Sequence, residues 1–398
     1  MIAKDTIEDI KRTTRFWMND REAVLGIVLV LVIIGSINIF SSSFVVAEMN
    51  FGTPYFFLKR HGINLAIGIV ALVFSVVVDY HKWRDWIPII TVAIIVGLVL
   101  VLIVGESVNG AQRWLSLGFM TIQPAEFAKI IAIFVEAAYI ASRVGIGRPV
   151  QIVHNQLALY IIMFALIEKE PDGATASIVV GIPIIMMLFS NMRLKEKLWL
   201  CIGCVMLVVA IFIWQPYRLE RLMTMLDPWS DPTDSGYQVV QSLQAIGSGG
   251  IFGMGIGVGI SKYHYLPEAH TDFAFAIWCQ EVGFLGAALV LILFAALAYY
   301  GVKISNSAKD PLGQMLGFGL TALIILQAVA NLFMVSGWLP VIGVPLPFIS
   351  YGGSSLLINL WAIGILLNIG RKSAPPKMLV TNAPVGAEHQ RPRLRRIK

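Results

Sequence analysis

The sequence predicts an all-α polytopic membrane protein of about ten transmembrane helices, with one large loop on a single side of the bilayer. Three observations lead there. Of 398 residues, 57% are hydrophobic and only 14% charged, whereas a soluble domain usually carries about 25% charge. The mean hydropathy is +0.76. The apolar residues also fall in blocks of the roughly 20 residues that a spanning helix needs. Too little charge remains to cover a water-soluble surface of this size, so a soluble enzyme is excluded.

The blocks run over 24–44, 61–79, 87–105, 121–142, 151–168, 174–191, 197–215, 272–300, 312–336 and 345–370. Residues 1–23 form a charged tail before them. The first block is too long, and lacks the small-residue cleavage site, to be a removable leader, so it is expected to remain as a span. Most blocks are joined by short polar turns, such as 79–84 and 191–197. One long interruption, about 216–270, forms the loop, and 371–398 is a basic, Pro-containing tail. An even number of spans puts both tails on one side. Most of the 30 Lys and Arg then lie with the tails, and the positive-inside rule makes that side cytoplasmic. The outer segments hold Lys59, Arg60, Arg113, Lys169, Arg218, Arg221 and Lys262. The long loop is therefore expected to face outward, away from ATP and nucleotide-sugars.

The net charge of +6 does not point to nucleic acid, because the basic residues sit beside the membrane, where they set topology or meet anionic lipid. Cys201, Cys204 and Cys279 all lie in apolar stretches and imply no disulfide framework. The C-x-x-C at Cys201–Cys204 has no second ligand pair, so packing is its better account. The six histidines show no metal-ligand spacing.

Chemistry is carried by a few positions. Arg113 beside Trp114 suits an interfacial anchor, or a guanidinium that holds a phosphate. Glu126 and Lys129 are three apart in the fourth block and share one helix face. Charges in a span are costly unless paired or facing a wet cavity, so this pair is either a helix lock or functional. Glu136 extends the same stripe. Glu168 to Gly173 reads as a tight turn. In the loop, the aspartates of Asp227 to Asp234 fit turns and caps better than a calcium loop. The glycine run Gly247 to Gly259 lacks the context of a nucleotide-binding loop. It either permits close packing or offers backbone amides to a pyrophosphate.

Asp272 stands where the loop enters the eighth block, as a helix cap or as a general base at the water–lipid boundary. His270 is placed to tune it. Finally, Pro340, Pro345 and Pro347 among glycines, up to Gly352-Gly353-Ser354-Ser355, preclude a regular helix. Such a segment must be buried in protein or line a cavity, and its small residues allow close helix contact.

These stretches together resemble the SEDS family (shape, elongation, division and sporulation). The strongest matches are LPEAHTDF at 266–273, GSGG at 247–250, Gly236-Tyr237-Gln238 with Gln241-Ser242, and PLPFISYGGSS at 345–355. They occur in order over nearly the whole chain, and the 227–242 stretch is more similar to the division branch, or its sporulation relative, than to the elongation branch. The resemblance implies a ten-span fold and polymerisation of lipid II into glycan strands at the outer face of the bacterial cytoplasmic membrane during septal wall synthesis. It implies a class B penicillin-binding protein transpeptidase and other divisome membrane proteins as partners. It also implies Asp272 as the essential carboxylate, with Arg113, Glu126, Lys129, His270 and Ser354 as candidate substrate contacts. No organic cofactor is expected; a divalent cation, magnesium or manganese, is compatible with pyrophosphate chemistry. Two departures stand out: the family's paired glutamates read Gln280-Glu281, and its PD-x-GT turn reads Pro171-Asp172-Gly173-Ala174-Thr175. A lipid II flippase, or a non-catalytic scaffold for the transpeptidase, is the competing expectation.

Overall fold

A computed structural model describes residues 19–373, apart from 109–110, 117, 119–120, 215, 235 and 264. Nearly all of the C-terminal basic tail, from 374 on, and nearly all of the N-terminal tail lie outside the described residues. Each of the ten apolar blocks forms a helix: α1 (Asp20–Phe51), α2 (Phe56–Val77), α3 (Tyr80–Val104), α4 (Pro124–Gly145), α5 (Leu157–Lys169), α6 (Gly173–Leu188), α7 (Leu194–Trp214), α10 (Ala274–Asn306), α11 (Pro311–Val335) and α12 (Gly353–Ser373). The long loop adds two helices, α8 (Pro216–Leu226) and α9 (Tyr237–Ser248). Six of the described helices (α1, α2, α3, α10, α11 and α12) are long and apolar enough to cross a membrane on length and composition alone. α4 carries several charges, and α5 and α6 are shorter.

Helix ends follow local chemistry. Asp79, Asp172 and Asp310 cap α3, α6 and α11 by accepting from the amides of His81, Thr175 and Gly313, and Pro311 occupies the first turn of α11, where its missing N–H costs nothing. Small residues set helix spacing. α12 lies along α2, and a Cβ on Gly364 would come within 2.5 Å of Leu72 O, the close backbone approach expected in membranes. Gly353 is likewise closed by Asn64.

The bundle has two distinct ends. At one, Asp20 at the start of α1 meets Lys303 near the end of α10 at 2.7 Å, and Gly370 packs on Arg21. First and last helices therefore share an end, as an even number of crossings requires. The opposite end carries α8, α9 and an antiparallel sheet, β1 (Glu106–Val108), β2 (Ala111–Ser116) and β3 (Thr121–Ile122), in the order β1-β2-β3.

The glycine run is a packing device. Gly283 breaks α10 at φ 73°, a conformation that side chains other than glycine rarely adopt. The loop repairs the break: the amides of Met254 and Gly255 donate to the carbonyls of Gln280 and Glu281, while those of Phe284 and Leu285 donate to Gly250 O and Ile251 O. A Cβ on Gly253 would lie 2.1 Å from Glu281 O. Of the two expectations for these glycines, close packing is what occurs, and these amides are spent within the protein. Residues 345–352 are irregular, as expected, and buried: Leu346, Phe348 and Ile349 are each at most 2% exposed. Ser350 Oγ accepts from Leu346 N, and Asn331 Nδ2 donates to Val344 O, so the unwound backbone is satisfied internally.

Candidate active site

Asp272 lies in the turn just before α10. The cap expectation does not hold: Phe273 occupies the N-cap position of that helix without a side-chain cap bond, and the Asp272 carboxylate makes no hydrogen bond among the described residues. Its main chain is fixed instead, because Asn331 Nδ2 donates to Asp272 O at 2.7 Å. Asn331 thus ties the Asp272 turn to the unwound segment at Val344. Gly343 faces Asp272 Oδ2, and even a Cβ there would stand 3.6 Å away.

Electrostatics make this carboxylate unusual. Burial pushes its pKa up, the charge of Glu268 adds to that, Arg113 pulls the other way and Asp172 adds a little, leaving it at about 7. A carboxyl poised near neutral pH can accept a proton usefully, since base strength and the ionised fraction are then balanced. His270 is held low by burial, against an upward pull from Glu268. It therefore sits as a neutral ring, 4.5 Å from Phe57 and 5.8 Å from Tyr351 between centroids. Its carbonyl accepts from Tyr351 N.

The remaining predicted residues arrive from three other elements. Arg113, on β2, donates from Nε to Glu170 O at 3.1 Å and from an Nη to Pro171 O. Asp172, in the same turn, accepts from Gln123 Nε2 at 2.8 Å, and Gln123 N donates to Ser354 Oγ at 3.0 Å. A chain of contacts thus links β2, the α5–α6 turn, the start of α4 and the start of α12. One turn into α4, Lys129 pairs with Glu126 at 2.6 Å, with both side chains almost fully buried. Glu136 does not join that pair; it accepts from Tyr160 OH at 2.8 Å.

Several participants were not legible as site residues. Glu170 is fully buried, and neither carboxylate oxygen has a hydrogen-bond partner. Burial first, then the charge of Asp172, raise it to about 8 despite Arg113. Glu268 and Phe348 hold left-handed backbones at φ 52° and 65°, each costing about 1–3 kcal/mol, and such strain clusters at functional sites. Lys262, a buried residue of the loop, binds Glu281 at 2.5 Å, and Ser41 completes the cluster. Gln280, the departure from paired glutamates, accepts from Ser261 N and donates to Ser248 Oγ, which is a loop-holding role. Sequence spacing alone hid Glu281, because its partners lie 19 and 240 residues away. Among the described residues, no cluster of three His, Cys, Asp or Glu side chains could hold a metal ion. The donor set does not fit a protein-built cation cage.

A half-buried carboxylate, without a hydrogen-bond partner among the described residues, above a bundle of spanning helices defines a polytopic membrane protein with a candidate proton acceptor at one end. Residues 21–374 match the FTSW_RODA_SPOVE family, described as cell cycle protein, and the chain belongs to that family, the SEDS proteins. It is 39% identical over 350 residues to the stage V sporulation protein E of Bacillus subtilis, covering 87% of this chain and 96% of that one. It is 38% identical over 358 residues to a probable peptidoglycan glycosyltransferase FtsW of Trichlorobacter lovleyi, covering 88% and 94%. Among solved structures, a chain from a study of the structural coordination of polymerization and crosslinking by a peptidoglycan synthase complex is similar, with a TM-score of 0.73 and 26% identity. That match covers 89% of this chain and 98% of the other.

Proposed function

We propose that the protein is a peptidoglycan glycosyltransferase that polymerises lipid II into β-1,4-linked glycan strands by inversion, with Asp272 as general base. The observation that carries this reading is the Asp272 carboxylate, which is half-buried, free of hydrogen-bond partners among the described residues and pushed up to about 7, in a chain whose relatives bear that enzyme's name. The donor's anomeric carbon already carries an undecaprenyl pyrophosphate, so no activating nucleotide is needed. Asp272 removes the proton from the incoming GlcNAc 4-hydroxyl. The oxygen then attacks the α-linked anomeric carbon from the opposite face, and the C1–O bond to pyrophosphate breaks. Arg113, now held by two carbonyls of the α5–α6 turn, is free to exchange them for phosphate oxygens, which guanidinium binds through paired donors. The Lys129–Glu126 pair, His270 and Ser354 position the elements around the base. No step is assigned to a divalent cation.

Basic tails in the cytoplasm and a loop-bearing end facing outward suit this chemistry, as does action at the division septum beside a class B penicillin-binding protein and other divisome membrane proteins. A lipid II flippase or a scaffold would need no proton acceptor at position 272. The test is glycan-strand formation from labelled lipid II, by the purified chain with its cognate transpeptidase rendered inactive at its serine. Folded Asp272→Asn should lose polymer by about 10²–10⁴-fold. Polymer at the wild-type rate from Asp272→Asn would overturn the assignment.

A further inference from the structure

The loop-bearing end holds a cavity of about 440 Å³ that the reaction above does not use. That volume falls within the roughly 300–1,000 Å³ typical of small-molecule sites. Its roof is α8, through Glu220, Arg221 and Thr224, and its side wall is the turn into α9, through Thr233, Asp234 and Tyr237. Its floor is Pro267 with Pro340 and Val341. Roof and floor are joined, because Arg221 donates to Val341 O at 2.9 Å. The wall is built tightly as well: a Cβ on Gly236 would strike Pro228 O at 2.2 Å, and Tyr237 N closes onto Asp234 O.

Both floor segments lead directly to the candidate base. Val341 is two residues from Gly343, which faces Asp272 Oδ2, and Pro267 is five residues before Asp272 on the same turn. The lining is rich in neutral donors and acceptors, namely the hydroxyls of Thr224, Thr233 and Tyr237 and the amide of Gln238. Two carboxylates against one guanidinium make it unfavourable for a pyrophosphate or for a peptide ending in carboxylates. A phenol ring beside hydroxyls and amides suits the C–H face and hydroxyl edges of a sugar ring.

Resting on the glycosyltransferase reading, we infer that this cavity is a saccharide subsite, seating a sugar ring of the glycan strand next to the one reacting at Asp272. A polymerase must hold the strand between additions, and a hydroxyl-lined cavity whose floor segments run on in sequence to the Asp272 turn does so without competing for pyrophosphate.

The experiment is hydrogen exchange on the purified full chain with a soluble β-1,4-linked N-acetylglucosamine tetramer, and separately with the free stem peptide. The sugar should slow exchange across 220–239 and 340–341 several-fold, and the peptide should not. Tyr237→Ala should remove that protection and shorten strands made from labelled lipid II, with exchange across α12 unchanged as the fold control. Gln238→Ala serves in its place if Tyr237→Ala misfolds. Absence of sugar protection overturns the subsite, as does protection by the peptide alone, whether or not the wild type polymerises. Sugar protection without any polymer would uphold the subsite and overturn the polymerase reading.

Discussion

The two ends of the bundle treat carboxylates in opposite ways. At the end shared by the first and last helices, every acid named here has a cationic or hydroxyl partner and about a third of its side chain in solvent. Asp79 meets Lys372 and His81, Asp20 meets Lys303, and Asp310 accepts from Tyr80 OH. Partial burial works upward on Asp79, but the hydrogen bonds of Lys372 and His81 outweigh it and hold its pKa well below the usual range. At the loop-bearing end, Asp272 and Glu170 lack hydrogen-bond partners and are pushed up to about 7 and 8. Charges with partners fasten helices together. Charges deprived of them store an unfavourable ionisation that substrate chemistry can relieve, and this is the pattern that marks functional sites.

The largest effect expected from breaking that contrast concerns a pair that belongs to neither class. Lys262 and Glu281 are almost fully buried at the loop-bearing end yet mutually satisfied, so they follow the fastening rule in a low-dielectric setting. Glu281→Gln should leave the Lys262 ammonium uncompensated and cost about 3–5 kcal/mol, read as a lowered unfolding temperature in detergent. The double change Lys262→Met with Glu281→Leu should recover most of the loss, because it removes both charges. If the single change were silent, burial would not be what separates this pair from the pairs at the other end.

Next in size is the cost carried by Asp272 itself. Between about pH 4 and pH 7 the folded protein keeps the Asp272 proton that the unfolded chain has lost, so stability falls as pH rises through that window. Asp272→Asn should therefore be more stable than wild type above pH 7, by up to a few kcal/mol, and the advantage should vanish by about pH 4. The same ionisation sets the acid limb of activity near pH 7. Glu268→Gln removes the charge that raises Asp272 most after burial, so its acid limb should move to lower pH. An unmoved limb in a pH–rate profile would show that another group controls it.

Much of this arrangement is legible in the sequence. Ten apolar blocks became ten helices because hydrophobic length is a strong local signal, and the proline-broken stretch at 345–352 was unwound and buried for the reason given by its composition. Arg113, His270, Ser354 and Asp272 were all found at one end. What could not be read depends on distant pairing. The exchange of backbone bonds at the Gly283 break joins residues about 30 apart, and the Lys262–Glu281–Ser41 cluster joins three elements. The small β-sheet around Arg113 left only a short polar signature. The isolation of Asp272 was hidden for a related reason: capping is a local property, whereas lacking a partner is a property of every surrounding element.

The smallest effect lies at the paired end and serves as the control. Lys372 contacts Asp79 with 39% of its side chain exposed, and its ammonium also lies 5.6 Å from the Tyr80 ring centroid. A pair this open is screened by water and salt, so Lys372→Ala should change stability by only about 0–1 kcal/mol. The difference should shrink further when thermal unfolding is repeated in high salt. Polymerising activity should be unaffected, because Asp79 and Lys372 lie at the far end of the bundle from Asp272. A loss of activity without a loss of stability in Lys372→Ala would mean that the two ends are coupled, and that the fastening charges help to set the state of the unpartnered ones.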